Sequence, residues 1–371
     1  MLSFWERQSF TSFDHIIIGG GIVGLSTAVS IKEKYPNQSV VILERGIFPT
    51  GASTKNAGFA CFGSLTEIMN DLNGMTETEV QELVEFRWKG LELLRSRLGD
   101  DHIGFKNYGG YELLFQNDLG ALNSIEKVNE LLKPLFGQNV YSEAAGLISE
   151  FGFDQQQVKS LIKNPLEAQI DTGKMMKALE AFAQQLGIKV FTNCEVLSFE
   201  ETPEGVTVST AQVNFKARKL AICSNAFTRK LLPETELKPG RGVVLVTKPI
   251  AGLPFKGTFH YEEGYYYFRN YEDRIIFGGG RNLDIQGEES TEFEVRDLIL
   301  DKLKSDLRTI LLPNHGFEVD MAWAGIMAFG KTKQPIVKKH SENIVLGVRL
   351  GGMGVAVGSK VGQRLASLML E

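Results

Sequence analysis

Cysteine is scarce in this chain. Only Cys61, Cys194 and Cys223 occur among its 371 residues, far apart and odd in number, which leaves no disulfide framework to read and no closely spaced set of zinc ligands. Such usage fits a reducing, cytoplasmic setting. Long apolar runs are missing too: nothing approaches the roughly 18 residues of a membrane-crossing helix, so no span is expected. The opening MLSFWERQSF mixes acidic and aromatic residues without a basic stretch leading into an apolar one, and does not read as a signal peptide. Basic charge is not in excess either. Forty Lys and Arg against 45 Asp and Glu give a formal charge of −5 and a pI of about 5.7, whereas a nucleic-acid partner needs a concentrated basic face.

What is present is the composition of a packed globular protein, 43% hydrophobic and 23% charged, with no sign of disorder or coiled coil. The length exceeds one simple core and falls short of three independent domains, so two domains are expected, with interleaving allowed. Glycine exceeds its usual share, with 39 residues where about 7% is average. Its clusters at Gly19 to Gly24, Gly278 to Gly280 and Gly351 to Gly354 mark places where backbone turns tightly or lies close to something.

The first cluster sits in a frame. His15 to Ile18 is a short apolar run of strand type, and from Leu25 to Lys34 small and apolar residues return at helical spacing. Between them Gly19, Gly21 and Gly24, enclosing Ile22 and Val23, satisfy G-x-G-x-x-G. The first glycine makes the turn, the second lets a diphosphate touch backbone, and the third packs helix on strand. The helix start offers that anion unpaired N–H groups and a positive dipole end. A second strand, Ser39 to Leu43, ends in Glu44, twenty residues beyond Gly24, where a carboxylate accepts hydrogen bonds from ribose hydroxyls. Glu44 also disfavours a 2′-phosphorylated nucleotide, because two anions would face each other. Arg45 beside it either covers the adenine or is solvated.

NAD and FAD share this beginning, and the segment Thr50 to Phe59 separates them in favour of FAD. Its small and polar residues, Ala52, Ser53, Asn56, Ala57 and Gly58 among them, let the chain run along a cofactor, donate to phosphate and lie flat against a ring.

Together the GGGIVG loop, the Glu44-Arg45 pair and GASTKNAGFACFG resemble the D-amino-acid oxidase family of flavoenzymes, which includes glycine oxidase, sarcosine oxidase, D-amino-acid dehydrogenase and gamma-glutamylputrescine oxidase. The resemblance runs through almost the whole chain. It implies an α/β, Rossmann-like FAD-binding domain over 13–100, 151–230 and 313–371, interleaved with an α+β substrate domain built on an antiparallel sheet over 101–150 and 231–312. It also implies cofactor contacts at Val196 and at Ala226, where the family shows a glycine-containing strand ending and this chain has Ser224-Asn225-Ala226. Further contacts are implied at Gly351-Gly352-Met353-Gly354-Val355, a helix start that would face the flavin pyrimidine with its positive end. Sarcosine oxidase-like members attach flavin through a cysteine near Gln334 to Val337, where this chain has none, so the FAD is expected to be noncovalent.

The implied reaction moves a hydride from the carbon beside nitrogen in a small amine or amino acid to flavin N5, and the imine then hydrolyses. Oxygen or an electron carrier reoxidises the flavin. A substrate carboxylate calls for a planar arginine fork. Arg349 stands near where glycine oxidase-like members place an arginine, with a shifted spacing; Arg281 follows the second glycine cluster. Arg241 and Arg269 read equally as structural ion-pair formers. In Tyr265-Tyr266-Tyr267 alternate side chains point to opposite faces, and the pair Tyr265 and Tyr267 is preferred for the cavity. His260 and His315 read as structural, since this chemistry does not require imidazole. A hydroxy acid or polyol oxidase on the same fold, a flavin-dependent tRNA-modification module and a flavin carrier without catalysis remain as rivals.

Overall fold

The apolar run at His15 to Ile18 needs burial on both faces, which a parallel sheet provides. In the computed structural model, which describes residues 1–371, it forms the inner end of the strand Ser12–Ile18. This strand pairs in parallel with Val40–Leu43 on one side and Asn214–Ile222 on the other. Lys189–Phe191 extends the sheet beyond Val40–Leu43, and Ile344–Val348 and then the antiparallel Ile336–Lys339 extend it beyond Asn214–Ile222. Side-chain alternation sends Ile17, Ile42 and Ala221 to one face, where the helices Ile22–Lys34, Glu77–Leu98, Thr172–Gln185 and Gly354–Leu370 cover them. Ile16, Ile18, Val41 and Leu220 go to the other face, closed by the strands Val196–Thr202 and Gly205–Thr210.

A second eight-stranded sheet has the order Val319–Phe329, Lys238–Thr247, Arg274–Gly279, Tyr266–Tyr271, Thr258–Tyr261, Gly110–Leu114, Ser160–Asn164, Ser142–Glu143. It is antiparallel except where Thr258–Tyr261 meets Gly110–Leu114. Phe259, Phe268 and Phe277 pack its outer face on Ile299 and Leu303 of the helix Asp297–Asp306.

Three features differ from the sequence-based expectation. Ser160–Asn164 and Val319–Phe329 fall in stretches assigned to the nucleotide domain, yet they pair in the second sheet, because an apolar run does not reveal which sheet accepts it. Helical periodicity from Glu292 to Leu312 predicts a helix over that stretch, but it starts only at Asp297, after Arg296 is held by Asp284 and Glu288 at 2.8 and 3.0 Å. Finally, Glu204 to Ser209 and Gln212 to Ala217 read as a hairpin and Lys219 to Cys223 as a separate strand, yet the second arm and that strand are one long strand, Asn214–Ile222, which pairs with Gly205–Thr210 and with Ser12–Ile18. No helix is long and apolar enough to cross a membrane.

Candidate active site

A cavity of about 1140 Å³ lies between the two sheets. The end of the cavity at the first glycine turn is shaped by glycine geometry. Gly19 has φ +104°, and a Cβ there would stand 2.8 Å from the Cys223 carbonyl oxygen; a Cβ on Gly24 would stand 1.9 Å from the Gly19 oxygen. Helix Ile22–Lys34 is therefore seated directly on the turn before it. Its N-cap, Gly21, provides no capping side chain, and of its first N–H groups Ile22 donates to Ser53 Oγ at 3.0 Å while Val23 and Gly24 lie beyond the reach of any intrahelical carbonyl. Glu44 is buried and accepts from the Gly20 and Gly46 N–H groups at 2.8 and 2.9 Å, and each carboxylate oxygen keeps acceptor capacity for another donor. Val196 lines the same end. Arg45 is not simply solvated: its guanidinium carbon sits 3.6 Å over the Phe227 ring.

The 50–59 segment is fastened on both sides. Asn56 Oδ1 accepts from the Gly58 N–H and from Thr172 Oγ1, each at 2.9 Å. A Cβ on Gly58, where φ is +77°, would meet the Ile170 oxygen at 2.4 Å. Arg269 donates to the Ala57 carbonyl and, at 3.1 Å, to that of Ile170; it holds backbone rather than an acid, and burial pulls its pKa down to about 10. Trp323 Nε1 donates to the Lys55 carbonyl at 2.9 Å. Ala52, Ser53, Asn56, Ala57 and Gly58 all line the cavity, as do Gly351, Gly352, Met353, Gly354 and Val355 at the start of helix Gly354–Leu370. Ala226 does not. It is packed in the core, and its neighbours Asn225 and Phe227 reach the cavity instead.

These features suit a dinucleotide: free N–H donors for a diphosphate, a buried acid for ribose, and glycine space that a Cβ would fill. Glu44→Gln keeps the shape but turns an amide NH2 toward a backbone N–H, so FAD affinity should fall about tenfold. Titration of apoprotein with FAD, followed by quenching of flavin fluorescence, measures this; unchanged affinity removes Glu44 from the ribose site.

The other end of the cavity has an aromatic and cationic wall. Tyr266 stacks on Tyr261, ring centroids 4.7 Å apart, in the outer core, and strand alternation turns Tyr265 and Tyr267 toward the cavity. Gly278 makes room for the Tyr267 ring, which a Cβ there would approach to 2.6 Å. Burial pushes the Tyr267 hydroxyl up to about 12, so it stays a donor. Arg281 lies with its guanidinium carbon 4.1 Å from the Phe329 ring centroid and 5.9 Å from that of Tyr265. It lines the cavity without a carboxylate partner, and burial lowers its pKa.

Arg349, the other expected anchor, is committed elsewhere. It donates to the Gln334 carbonyl at 3.3 and 3.1 Å, to Thr332 Oγ1 at 3.0 Å, and to both the carbonyl and the carboxylate of Glu236. Arg241 is likewise paired, with Glu288 at 2.8 Å and Glu294 at 3.1 Å.

His260, which the sequence reading sets aside, faces the cavity. Its Nε2 lies 3.0 Å from Glu167 Oε2. Burial works against charge on the ring, but Glu167, then Glu67 and Glu112, outweigh it and hold its pKa at about 9. Burial raises the Glu112 carboxyl to about 7 even though Thr66 and Ser64 donate to it. A hairpin centred on Glu263-Gly264 pairs His260 with Tyr267, which is the sequence signal that finds it.

The family model described as FAD dependent oxidoreductase, DAO, matches residues 14–368. Glycine oxidase of Bacillus licheniformis is 22% identical over 375 residues, covering 96% of this chain and 93% of the relative. L-2-hydroxyglutarate dehydrogenase of Escherichia coli K12 is 23% identical over 231 residues, 62% of this chain and 51% of its own length. Among solved structures, glycine oxidase from Geobacillus kaustophilus superposes with a TM-score of 0.79 at 17% identity, covering 97% of this chain and 95% of that one, a likeness of fold.

Proposed function

Because the chain belongs to the DAO family of FAD-dependent oxidoreductases, we propose that it oxidises a small amine or amino acid bearing a carboxylate, with FAD accepting the hydride. The observation that carries this reading is Arg281, a half-buried guanidinium without an acid of its own, set between Tyr265 and Phe329 in the cavity wall. A charged fork with free donors in a partly dry site is suited to a planar carboxylate. Tyr267 adds a phenolic donor, and the aromatic walls exclude water from the reacting carbon. Val23 and Gly24 N–H groups with Glu44 would hold the nucleotide; the helix start at Gly354 would place N–H groups and a positive dipole end toward the flavin ring. The relative that acts on a hydroxy acid makes carboxylated alcohols the second reading, since Arg281 would anchor either class.

Anaerobic mixing of the purified yellow protein with amino acids, N-alkyl amino acids, plain amines and hydroxy acids tests both readings. Bleaching by carboxylated amines is the expected result. Bleaching by hydroxy acids alone establishes the second reading, and no bleaching by either class overturns both. Admitting air to the reduced protein then separates oxygen from a carrier as electron acceptor.

The FAD is expected to be noncovalent, and acid precipitation should leave the yellow colour in the supernatant. All three cysteines are free and buried. Burial pushes the Cys61 thiol well up and that of Cys223 to about 12, which withholds the thiolate that flavin attachment requires. A yellow pellet contradicts this. Free thiols also suit a reducing, cytoplasmic compartment.

A further inference from the structure

Strand register lays a row of side chains across the cavity face of the second sheet. Val244 pairs with Gly278, Gly278 with Tyr267, Tyr267 with His260, and His260 with Glu112. Residues in register share a face, so phenol, imidazole and carboxyl stand on neighbouring strands about 4.8 Å apart. His260 is 5% exposed, and the ring of Phe59, from the segment that lines the cofactor side, meets it edge-on at 5.1 Å. Behind it Glu167, 1% exposed, is 3.0 Å from Nε2 and accepts from Thr258 Oγ1 at 3.2 Å. A carboxylate on Nε2 fixes the neutral ring as the Nε2–H tautomer. The lone pair is then on Nδ1, which bonds to no protein group, in a residue that lines the cavity.

We propose that His260, oriented by Glu167, takes the proton from the substrate's ammonium nitrogen before the carbon–hydrogen bond breaks. The proposal rests on the amine reading above. An N–H bond of the ammonium breaks and an Nδ1–H bond forms, leaving a lone pair on the substrate nitrogen. FAD, which the family implies, would supply the oxidant: it would take the electron pair of the adjacent carbon–hydrogen bond as hydride, and the nitrogen lone pair would become the C=N bond. The amine is oxidised by two electrons to the iminium ion, and the proton stays on His260.

The groups facing His260 set the sign of its pH dependence. They are Glu167, Glu112 from Gly110–Leu114, Glu67 from the helix Leu65–Leu72, and Tyr267 from the paired strand. The acids favour the charged ring, so His260 accepts a proton only after losing its own. Flavin reduction is therefore expected to be half-maximal near pH 9, to rise toward its plateau above that value and to fall as pH drops through it.

The test is stopped-flow flavin reduction by an amino acid that bleaches the wild type, between about pH 7 and pH 10, a range spanning His260 and an ordinary amine. Wild-type protein, His260→Gln and Glu167→Gln are compared, with FAD content and Tm measured beside the rates. His260→Gln should reduce about 100-fold more slowly and lose the limb near pH 9, keeping only the ionisation of the free substrate. Glu167→Gln, which removes the main support of the charged ring, should move the limb to lower pH. A His260→Gln protein that carries FAD and keeps both the wild-type rate and its limb overturns the proposal. Should that variant not take up FAD, an unmoved limb in Glu167→Gln overturns it equally. Wild-type protein bleached by hydroxy acids and by no amine refutes the amine reading itself, and with it this one.

Discussion

Replacing Gly24 with alanine is expected to yield protein that purifies without FAD. The new Cβ would lie 1.9 Å from the Gly19 oxygen, 3.1 Å from its carbonyl carbon and 3.2 Å from Ile17 Cγ2. Two of these neighbours are backbone atoms of the turn itself, so no side chain can swing aside. Helix Ile22–Lys34 has to back away by about 1 Å or more, and overpacking of this kind costs about 1–3 kcal/mol. The shift falls on the N–H groups available to the diphosphate, so affinity for FAD drops at least about tenfold along with stability. Gly120→Ala, outside the cavity, is the matched control. A Cβ there meets nothing within 4 Å, and neither Tm nor bound FAD should move. The ratio of bound FAD to protein, and Tm with and without added FAD, measure both variants. Stoichiometric FAD in Gly24→Ala would falsify the placement of the diphosphate on this turn.

The strand, glycine turn, helix and second strand were legible because they are local. They follow one another between Ser12 and Glu44, and each takes its conformation from its neighbours in sequence. The opposite wall of the cavity is assembled by pairing at long range. Glu167 reaches His260 across 93 positions, and Arg269 reaches the Ala57 carbonyl across 212; no local pattern announces either contact. Tyr265 and Tyr267 were separable from Tyr266 because strand periodicity needs only neighbours. Arg349 and Arg281 were not separable. Each follows a glycine cluster or precedes one, and the difference between them is whether other parts of the chain have already taken the guanidinium. Ala226 failed for a related reason: the short turn Asn225–Lys230 decides which of three consecutive residues faces the cavity, and small size alone did not.

That difference between the two arginines predicts opposite outcomes for the same substitution. Arg281→Met removes a cation that touches only aromatic faces, contacts worth about 0.5–1 kcal/mol, so Tm and FAD content should stay near wild type. If the guanidinium binds the substrate carboxylate, charge-assisted hydrogen bonds worth about 1.5–3 kcal/mol are lost. kcat/KM for carboxylated substrates should then fall about 10- to 150-fold, mainly through KM, because the anchor holds substrate and transition state alike. An amine lacking the carboxylate should be oxidised as poorly by the variant as by the wild type. Arg349→Met strips donors from the Gln334 and Glu236 carbonyls, from Thr332 and from the Glu236 carboxylate, and it should lower Tm with no such preference among substrates. A pair of Michaelis–Menten series, one substrate with the carboxylate and one without, decides the matter: an Arg281→Met protein that loses equally on both, or on neither, leaves the carboxylate without its proposed anchor.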